Sequence, residues 1–276
     1  MLPRLKERKI TPDELTAGFQ EAGLEDGDAV MFHASLERIG SVDGGAAIVI
    51  HRLLRVIGDN GTLLMPAFTS ISRHGQSHEN FTLPHCWCDG NEGRHVPFIP
   101  ELQPDKQLSS IVHRLCSWPR ARRSKHPGYS YVAVGKRSDE VVSELRLDDP
   151  LLPVKKLLKY NPKVVLVGVD LTAATAIHLA RVDGFPKAAP YERALTITSK
   201  GLSWVNIVGL GCNNGFQKLA ICLTREPKTI GAANVENYLM KELIETGRSM
   251  LTKDPAALNC DNQSCLSCSG LLNSMS

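Results

Sequence analysis

The chain has 276 residues, of which 42% are hydrophobic and 22% are charged, and its formal net charge is +3. This length excludes a mini-domain and fits one large α/β domain or two small ones, with enough apolar residues for a sizeable core. The small net charge argues against a dedicated nucleic-acid binder, for which a strong basic patch is expected. Since no apolar run reaches the roughly 18 residues of a transmembrane helix, we expect no membrane partner.

The N-terminal residues 1–9 are charged and lack the apolar core of a signal peptide. We therefore expect a cytoplasmic protein, in which the 8 cysteines are reduced or metal-bound rather than paired in disulfides. A local basic run at residues 120–126 has two interpretations, a solvated loop or a loop that contacts phosphate.

A helix is predicted near the N-terminus, because Thr11 provides an N-cap, Pro12 suits the first helical position and Glu14 completes a capping box. This helix is expected to end near Gly23. The next predicted elements are a strand, a helix and a strand at residues 28–33, 44–57 and 61–66. Their order is typical of a mostly parallel α/β sheet.

Residues 70–107 differ from the preceding segments. They contain Ser, His, Gly, Pro, Cys and Asn and show no periodic pattern of apolar residues. Loops of this length are usually functional or mobile. The segment contains potential metal ligands at His85, Cys86, Cys88 and His95, but their spacing matches no common zinc signature. We therefore interpret it as a lid on the substrate side, with a zinc-dependent hydrolase site as the weaker alternative.

Regular structure is predicted again after this segment. The expected helices are residues 109–118, 138–145, 154–160, 215–222 and 232–245, and the expected strands are residues 129–134, 164–169, 195–199 and 204–208. No repeat or clear linker divides the chain. The prediction is therefore one α/β domain with a central mixed β-sheet flanked by helices, plus a long loop and helical lid.

The segment at residues 163–181 reads as a buried strand, a polar turn and a helix. On that helix Thr175, His178 and Leu179 are spaced as neighbours on one surface. The imidazole therefore lies just beyond the carboxyl end of a buried strand, at the edge where open α/β sheets bind ligands.

Four sequence motifs at separate positions in the chain resemble those of a known protein family. Residues 30–36 resemble V-x-x-H-S-S-L, residues 58–69 resemble G-x-x-G-T-L-x-x-P-x-x-T, residues 123–127 resemble R-S-x-H-P, and residues 164–181 resemble V-L-L-L-G-V-G-x-D-x-N-T-x-L-H-x-A-E. Together with Asp149-Pro150 and in this order, they resemble the aminoglycoside 3-N-acetyltransferases, the antibiotic N-acetyltransferase family that is distinct from the GNAT fold. The resemblance covers nearly the whole chain, and residues 1–276 are therefore expected to form one antibiotic N-acetyltransferase-like domain.

This resemblance implies transfer of an acetyl or other acyl group from acetyl-CoA, or another acyl-CoA, to a primary amine of a small molecule. Such an amine must lose a proton, and the thioester carbonyl needs a hydrogen-bond donor. By resemblance His178 is the base or proton shuttle, and Thr175 orients it or lies near the thioester. The implied contacts with the pantetheine and acyl group are His33, Ala34, Ser35, Leu36, Thr69, Ser124 and His126. The alternative for His178 is a packed helix histidine, and for His33 a buried residue satisfied by backbone.

The chain departs from the family pattern at Thr172, Ala174 and Arg181, which stand where the family has Asp, Asn and an acid. A guanidinium in place of a carboxylate would repel a polycation and attract an anionic acceptor. We therefore expect an anionic or non-aminoglycoside acceptor that contacts Arg181, with Asp170 and Asp183 nearby. The alternatives are that another acid, Asp170, Asp183 or Glu192, replaces the missing one in an authentic aminoglycoside enzyme, or that the protein is a silent member that binds CoA or an acyl carrier.

The C-terminal tail, residues 255–276, carries closely spaced thiols at Cys260, Cys265 and Cys268. A C-x-x-C pair is a common half of a structural zinc site, and a fourth ligand is required. By resemblance Cys212 is the best fourth candidate, whereas Cys222 is assigned to the core. The two interpretations are a structural zinc that pins the tail and free surface thiols, and a homodimer is left open.

Overall fold

The computed structural model describes residues 8–70, 73–75, 96–184, 191–265 and 267–268. Strands and α-helices are interspersed along this length, and no α-helix separates the last four strands from one another. The strands are β1 (Ala29–Ala34), β2 (Thr62–Pro66), β3 (Arg73–Gly75), β4 (Arg122–Arg123), β5 (Tyr131–Gly135), β6 (Lys163–Val167), β7 (Tyr191–Thr198), β8 (Gly201–Val208), β9 (Lys228–Ile230) and β10 (Ala233–Leu239). The α-helices are α1 (Pro12–Glu21), α2 (Leu36–Ile39), α3 (Gly45–Ile57), α4 (Ser110–Cys116), α5 (Ser138–Val142), α6 (Leu152–Leu158), α7 (His178–Gly184) and α8 (Met240–Lys253).

A central mixed sheet with seven strands in the order β4-β5-β2-β1-β6-β10-β9 forms the body of the fold. Strand β1 pairs in parallel with β2 and β6, whereas β5, β4, β10 and β9 join by antiparallel pairing. The predicted α/β class with a mixed sheet is therefore confirmed. The three parallel strands place their carboxyl ends at one edge, which is where the fold can present a ligand site.

Helices pack on both faces of this sheet. Because successive side chains of a strand point to opposite faces, the hydrophobic core is divided into one cluster on each face. Along β1, Met31 contributes to the core cluster that contains α7 and α8, whereas Phe32 contributes to the cluster that contains α1 and α3. His33 is two residues beyond Met31 and pairs with Leu166 of the same cluster. His33 therefore faces the side of the sheet that carries α7.

The start of α1 follows the sequence prediction in detail. The Thr11 side chain accepts a hydrogen bond from the Glu14 backbone, and the Glu14 carboxylate accepts one from the Thr11 backbone, with Pro12 in the first turn. This capping box satisfies amide donors that a helix start leaves unpaired. Across the described part of the chain, no helix is long and apolar enough to cross a bilayer.

The prediction of a helix over residues 232–245 is wrong in its first half. Ala233–Leu239 is strand β10, which pairs antiparallel with β6, and α8 begins only at Met240. Val235 and Tyr238 are buried against the core, and their strand completes the sheet beside β6. The pairing partner lies far away in the sequence, so tertiary contacts override the local helical pattern.

A second, antiparallel sheet of three strands has the order β3-β7-β8. Strands β7 and β8 pair antiparallel as a hairpin, which confirms the two strands predicted at residues 195–199 and 204–208 and extends both of them. Tyr129, Ala194 and Ile207 form a small core cluster, and Phe68 packs against both this cluster and the main core. The small sheet therefore covers the sheet edge where β2 ends. The potential ligands predicted at His85, Cys86, Cys88 and His95 lie outside the described residues.

Candidate active site

Sequence-predicted residues from distant segments meet at the carboxyl edge of the parallel strands. This edge is formed by the ends of β1, β2 and β6, together with the start of β5, because Pro66 pairs with Tyr131. Strand β4 runs antiparallel to β5 and so also ends there, just before Ser124 and His126. The topology therefore brings His33, Thr69 and the segment 124–126 to one edge.

His178 follows this edge after a more irregular connection than predicted. Two 3-10 turns, Leu171–Ala173 and Thr175–Ile177, lead from β6 to α7, of which His178 is the first residue. The prediction that Thr175 lies on the same α-helix as His178 is therefore wrong, because α-helix begins only at His178. Thr175 is buried, and its hydroxyl donates to the carbonyl of Ala173 at 3.5 Å rather than to His178.

His178 is 4% exposed and packs edge-on against Phe216, with ring centroids 4.7 Å apart. Burial, and secondarily the positive charge of Arg181, lower the pKa of His178 to about 3, against a smaller opposing effect of a hydrogen bond with the Leu210 backbone. The imidazole is therefore neutral at physiological pH, and its Nδ1 is buried without a protein partner in the described ranges.

Arg181 does not present its charge at this edge. Its side chain is 5% exposed, and its guanidinium donates to the carbonyl of Cys212 at 2.5 Å and to the carbonyl of Leu258. It also stacks over the ring of Phe216 at 5.2 Å. The expected contact between Arg181 and an anionic acceptor gains no support from this placement, because the donors are directed at the C-terminal tail.

His33 is almost fully buried near the end of β1, and burial lowers its pKa to about 4. Its Nε2 finds no partner within the described part of the protein. Ser35 follows at once and caps α2, because its hydroxyl accepts from the Arg38 backbone at 3.2 Å and its own amide donates to the Val167 carbonyl at 2.9 Å. Ala34 and Leu36 flank this turn as apolar packing residues.

The other predicted edge residues divide into two roles. The Ser124 hydroxyl accepts from the Tyr131 amide at 2.9 Å, so Ser124 extends the pairing of β4 with β5. The His126 Nδ1 accepts from the Tyr129 amide at 3.3 Å, which fixes its ring beside that of Tyr129. Thr69 is fully buried, and its hydroxyl lacks a partner among the residues that the structure describes.

Asp170 caps the first 3-10 turn rather than reaching toward His178. Its Oδ1 accepts from the Thr172 amide at 2.9 Å and also from the Thr172 hydroxyl. The side chain of Asp183 lies outside what the structure describes. The small sheet β3-β7-β8, which we call the covering sheet, carries a described carboxylate at Glu192 on β7. Its Oε1 accepts a hydrogen bond from the Tyr129 hydroxyl at 2.6 Å.

Buried polar atoms without protein partners collect in this region. Besides His33, Thr69 and His178, the hydroxyl of the fully buried Tyr131 finds no partner in the described ranges. Leaving such an atom unpaired costs about 1–3 kcal/mol, and native proteins normally satisfy it with protein, water or ligand. Four such atoms around one sheet edge indicate a site that binds a polar ligand.

Sequence reasoning missed the aromatic residues that shape this site. Phe216 stacks against His178, and Tyr131 packs edge-on against Phe68 at a centroid distance of 5.5 Å. Tyr131 pairs with Pro66 of the motif at residues 58–69, but this register is set by the folded sheet and gives no signal in the sequence. Phe216 carries no local signal, since its contact with His178 depends on tertiary packing.

The four predicted tail and turn cysteines come together at a second location. The sulfur atoms of Cys212, Cys260, Cys265 and Cys268 all lie within 4.8 Å of one another. Cys222, which the sequence assigned to the core, is instead exposed. We name the four residues the cysteine cluster.

Comparison with known proteins agrees with this architecture. The family model described as aminoglycoside 3-N-acetyltransferase matches residues 31–252. The chain is 31% identical over 175 residues to aminoglycoside N(3)-acetyltransferase IX of Micromonospora chalcea, which covers 62% of this chain and 61% of that protein. It is 32% identical over 189 residues to the SPbeta prophage-derived aminoglycoside N(3')-acetyltransferase-like protein YokD of Bacillus subtilis, with 67% and 68% covered. The chain thus spans about three-fifths to two-thirds of the length of these relatives.

Solved structures extend the match over most of the chain. The crystal structure of YokD superposes with a TM-score of 0.78 at 26% identity, covering 90% of this chain and 100% of YokD. The structure named AAC-IIIb binary with CoASH superposes with a TM-score of 0.73 at 23% identity, covering 89% and 97%, and shows the shared fold. Because the family model matches residues 31–252, the chain belongs to the aminoglycoside 3-N-acetyltransferase family.

Proposed function

We propose that this protein transfers an acetyl group from acetyl-CoA to a primary amine of a small molecule, at the carboxyl edge of β1, β2 and β6. The single observation that carries the proposal is His178, which lies buried at this edge with Nδ1 free of protein partners in the described residues. It occupies the position of the histidine in the family motif, and a relative of the same fold is named as a CoASH complex.

In the proposed reaction, the amine nitrogen attacks the thioester carbonyl, the new C–N bond forms, and the C–S bond breaks to release CoA as a thiol. The amine loses one proton and the thiolate gains one, so proton transfer must accompany bond exchange. A neutral His178 can accept the amine proton through Nδ1. Burial and the positive charge of Arg181 disfavour the charged form of His178, which favours onward transfer of the proton to the leaving thiolate.

The choice of acceptor changes once the position of Arg181 is taken into account. An anionic acceptor was expected because Arg181 stands in place of an acid, but its guanidinium binds backbone carbonyls of the tail. We propose instead a cationic amine, for which aminoglycosides are the first candidates because the curated relatives are named for them. Glu192 offers a carboxylate beside Tyr129 on the covering sheet, which would attract such a cation.

The direct test combines acetyl-, malonyl- and succinyl-CoA with a panel of amines that includes kanamycin- and gentamicin-type acceptors. Free thiol release and the mass of the acylated amine are measured together. We expect release with acetyl-CoA and an acetylated product. CoA binding without turnover of any amine would contradict the proposal and favour a silent binding protein.

Glu192→Gln is expected to raise KM for a cationic acceptor by about 10–100-fold and leave KM for acetyl-CoA unchanged, because a hydrogen bond to a charged group contributes about 1.5–3 kcal/mol. Initial rates with each substrate varied separately check this prediction. Glu245→Gln is the matched control, since Glu245 is exposed on α8 and pairs with Lys241. Equal effects on both KM values would remove Glu192 from the acceptor side.

We also propose that the cysteine cluster binds a structural Zn²⁺. Tetrahedral zinc with Zn–S bonds of about 2.3 Å separates its sulfurs by about 3.8 Å. The sulfurs of Cys260 and Cys268 lie 3.7 Å apart, which fits this value and is far from the about 2.05 Å of a disulfide bond. The Cys260 amide also donates to the Cys268 sulfur at 3.5 Å. Four thiolates complete the coordination and leave no open position for catalysis.

A further inference from the structure

The cysteine cluster lies against the helix that begins with His178. Arg181, one turn along α7, donates to the carbonyls of Cys212 and Leu258 and approaches Asn259 Oδ1 at 3.5 Å. One guanidinium therefore joins α7 to the two chain segments that supply the thiols. This connection holds although the tail follows α7 by more than 70 residues.

The burial of Arg181 requires a compensating negative charge. Its side chain is 5% exposed, and no carboxylate pairs with it among the described residues. A buried cation without a counter-charge is costly in an apolar interior. Zinc bound by four thiolates carries a net negative charge, so the metal centre would supply the missing partner.

Contacts continue from Arg181 to the imidazole of His178. Arg181 lies over one face of Phe216, and Phe216 packs edge-on against His178 at 4.7 Å. The chain before Phe216 is held by the tail, because a Cβ added at Gly215 would lie 2.2 Å from the carbonyl oxygen of Leu258. A displaced tail would therefore release the packing partner of His178.

The same segment also fixes the turns that precede His178. The Asn213 side chain donates to the Thr172 carbonyl at 2.7 Å, and the Leu171 amide donates to the Gln217 side chain at 3.1 Å. Asn213 follows Cys212 directly. Anchoring Cys212 thus anchors both sides of the segment that presents the imidazole.

We propose that the metal in the cysteine cluster positions His178, and that Arg181 is the positioning residue through which it acts. This inference rests on the proposed acyl transfer and on the proposed zinc. The metal contacts no reacting atom. Its loss lowers kcat by displacing the imidazole, whereas the affinity for acetyl-CoA is retained.

The first experiment compares Cys265→Ser with Cys222→Ser, a matched control at an exposed thiol outside the cluster. Metal content is measured by elemental mass spectrometry, and kcat and KM are measured with acetyl-CoA. Since changes in groups that support a metal site cost about 10–100-fold, Cys265→Ser is expected to lose zinc and at least tenfold in kcat, with KM for acetyl-CoA unchanged. Cys222→Ser is expected to match the wild type. Absence of zinc from the wild-type protein, or undiminished kcat after its loss, would overturn the inference.

The second experiment separates positioning by Arg181 from general destabilisation. Arg181→Met removes the donors and the charge, and Arg181→Lys keeps the charge. We expect Arg181→Met to lower kcat about 10–100-fold and Arg181→Lys to restore part of it, with KM for acetyl-CoA constant in both. Equal kcat in both variants and the wild type would exclude a positioning role.

A third measurement does not depend on turnover. The imidazole signals of the wild-type protein are followed by NMR while a chelator removes the metal, with His178→Gln used to assign the signal. We expect the His178 signal to move and the signal of His51, exposed on α3, to stay in place. If no acyl-CoA releases thiol, the proposed function fails while this measurement still decides the inference. A His178 signal that is unchanged after complete metal loss would refute it.

Discussion

His178→Ala is expected to lower kcat/KM for acetyl transfer by at least about 100-fold, the usual contribution of a positioned acid–base group. The imidazole is buried at the carboxyl edge, contacts Phe216 and Leu210, and has no protein partner for Nδ1 among the described residues. No other described imidazole adjoins Phe216 in this way. Thiol release at saturating acetyl-CoA, with the amine varied, measures the loss.

The control for this variant is His51→Ala, which removes an exposed imidazole from α3. It is expected to retain wild-type turnover. The pH dependence adds a second check, because an imidazole with a pKa of about 3 is already neutral across the neutral range. The rise of kcat/KM with pH should therefore follow the pKa of the acceptor amine. Turnover by His178→Ala at the wild-type rate would show that the catalytic group lies elsewhere.

Acidification is expected to destabilise the fold more strongly than carboxylate titration alone would. His33 and His178 have folded pKa values of about 4 and about 3, below the 6.5 of an unperturbed histidine. Between pH 6.5 and these values the unfolded chain binds more protons, so stability is present above pH 6.5 and is lost as the pH falls. From pH 7 to pH 5 the loss is about 2 kcal/mol for each histidine.

Urea unfolding at pH 7 and pH 5 tests this linkage. The double variant His33→Gln, His178→Gln removes both titrating groups. Between pH 7 and pH 5 its free energy of unfolding should therefore fall by about 4 kcal/mol less than that of the wild type. Other groups titrate in both proteins and cancel in the comparison. Parallel losses in the two proteins would show that neither histidine has a depressed pKa.

Local signals in the sequence predicted much of the fold. The capping box at Thr11 and Glu14 and the order of β1, α3 and β2 are confirmed because each depends on neighbouring residues. Strand β10 could not be recognised, since its place beside β6 is decided by burial and distant pairing rather than by local pattern. The sequence predicts α-helix at Thr175–Ile177, where the structure has a 3-10 turn, because 3-10 and α-helical spacing are similar over one turn.

For the candidate site, the sequence indicated which residues to consider, but it did not indicate which other segments their side chains contact. Strand order brings His33, Thr69 and Ser124 to one edge, and their role as CoA contacts, which the family resemblance implies, stays a prediction. The direction of the Arg181 side chain depends on a tail that follows it by more than 70 residues, so spacing alone could not indicate it. The closely spaced tail cysteines indicated a metal site by residue type and the C-x-x-C pair, whereas Cys212 was implied as the fourth member only by the family resemblance.

The most direct test of the site is an NMR titration of the imidazole groups with CoA and then with acetyl-CoA. The central claim is that the thioester binds at the edge formed by β1, β2 and β6. We predict that the signals of His33 and His178 shift with saturation, while the signal of the exposed His51 stays fixed. Saturable CoA binding that leaves both His33 and His178 unchanged would place the thioester elsewhere and contradict this account.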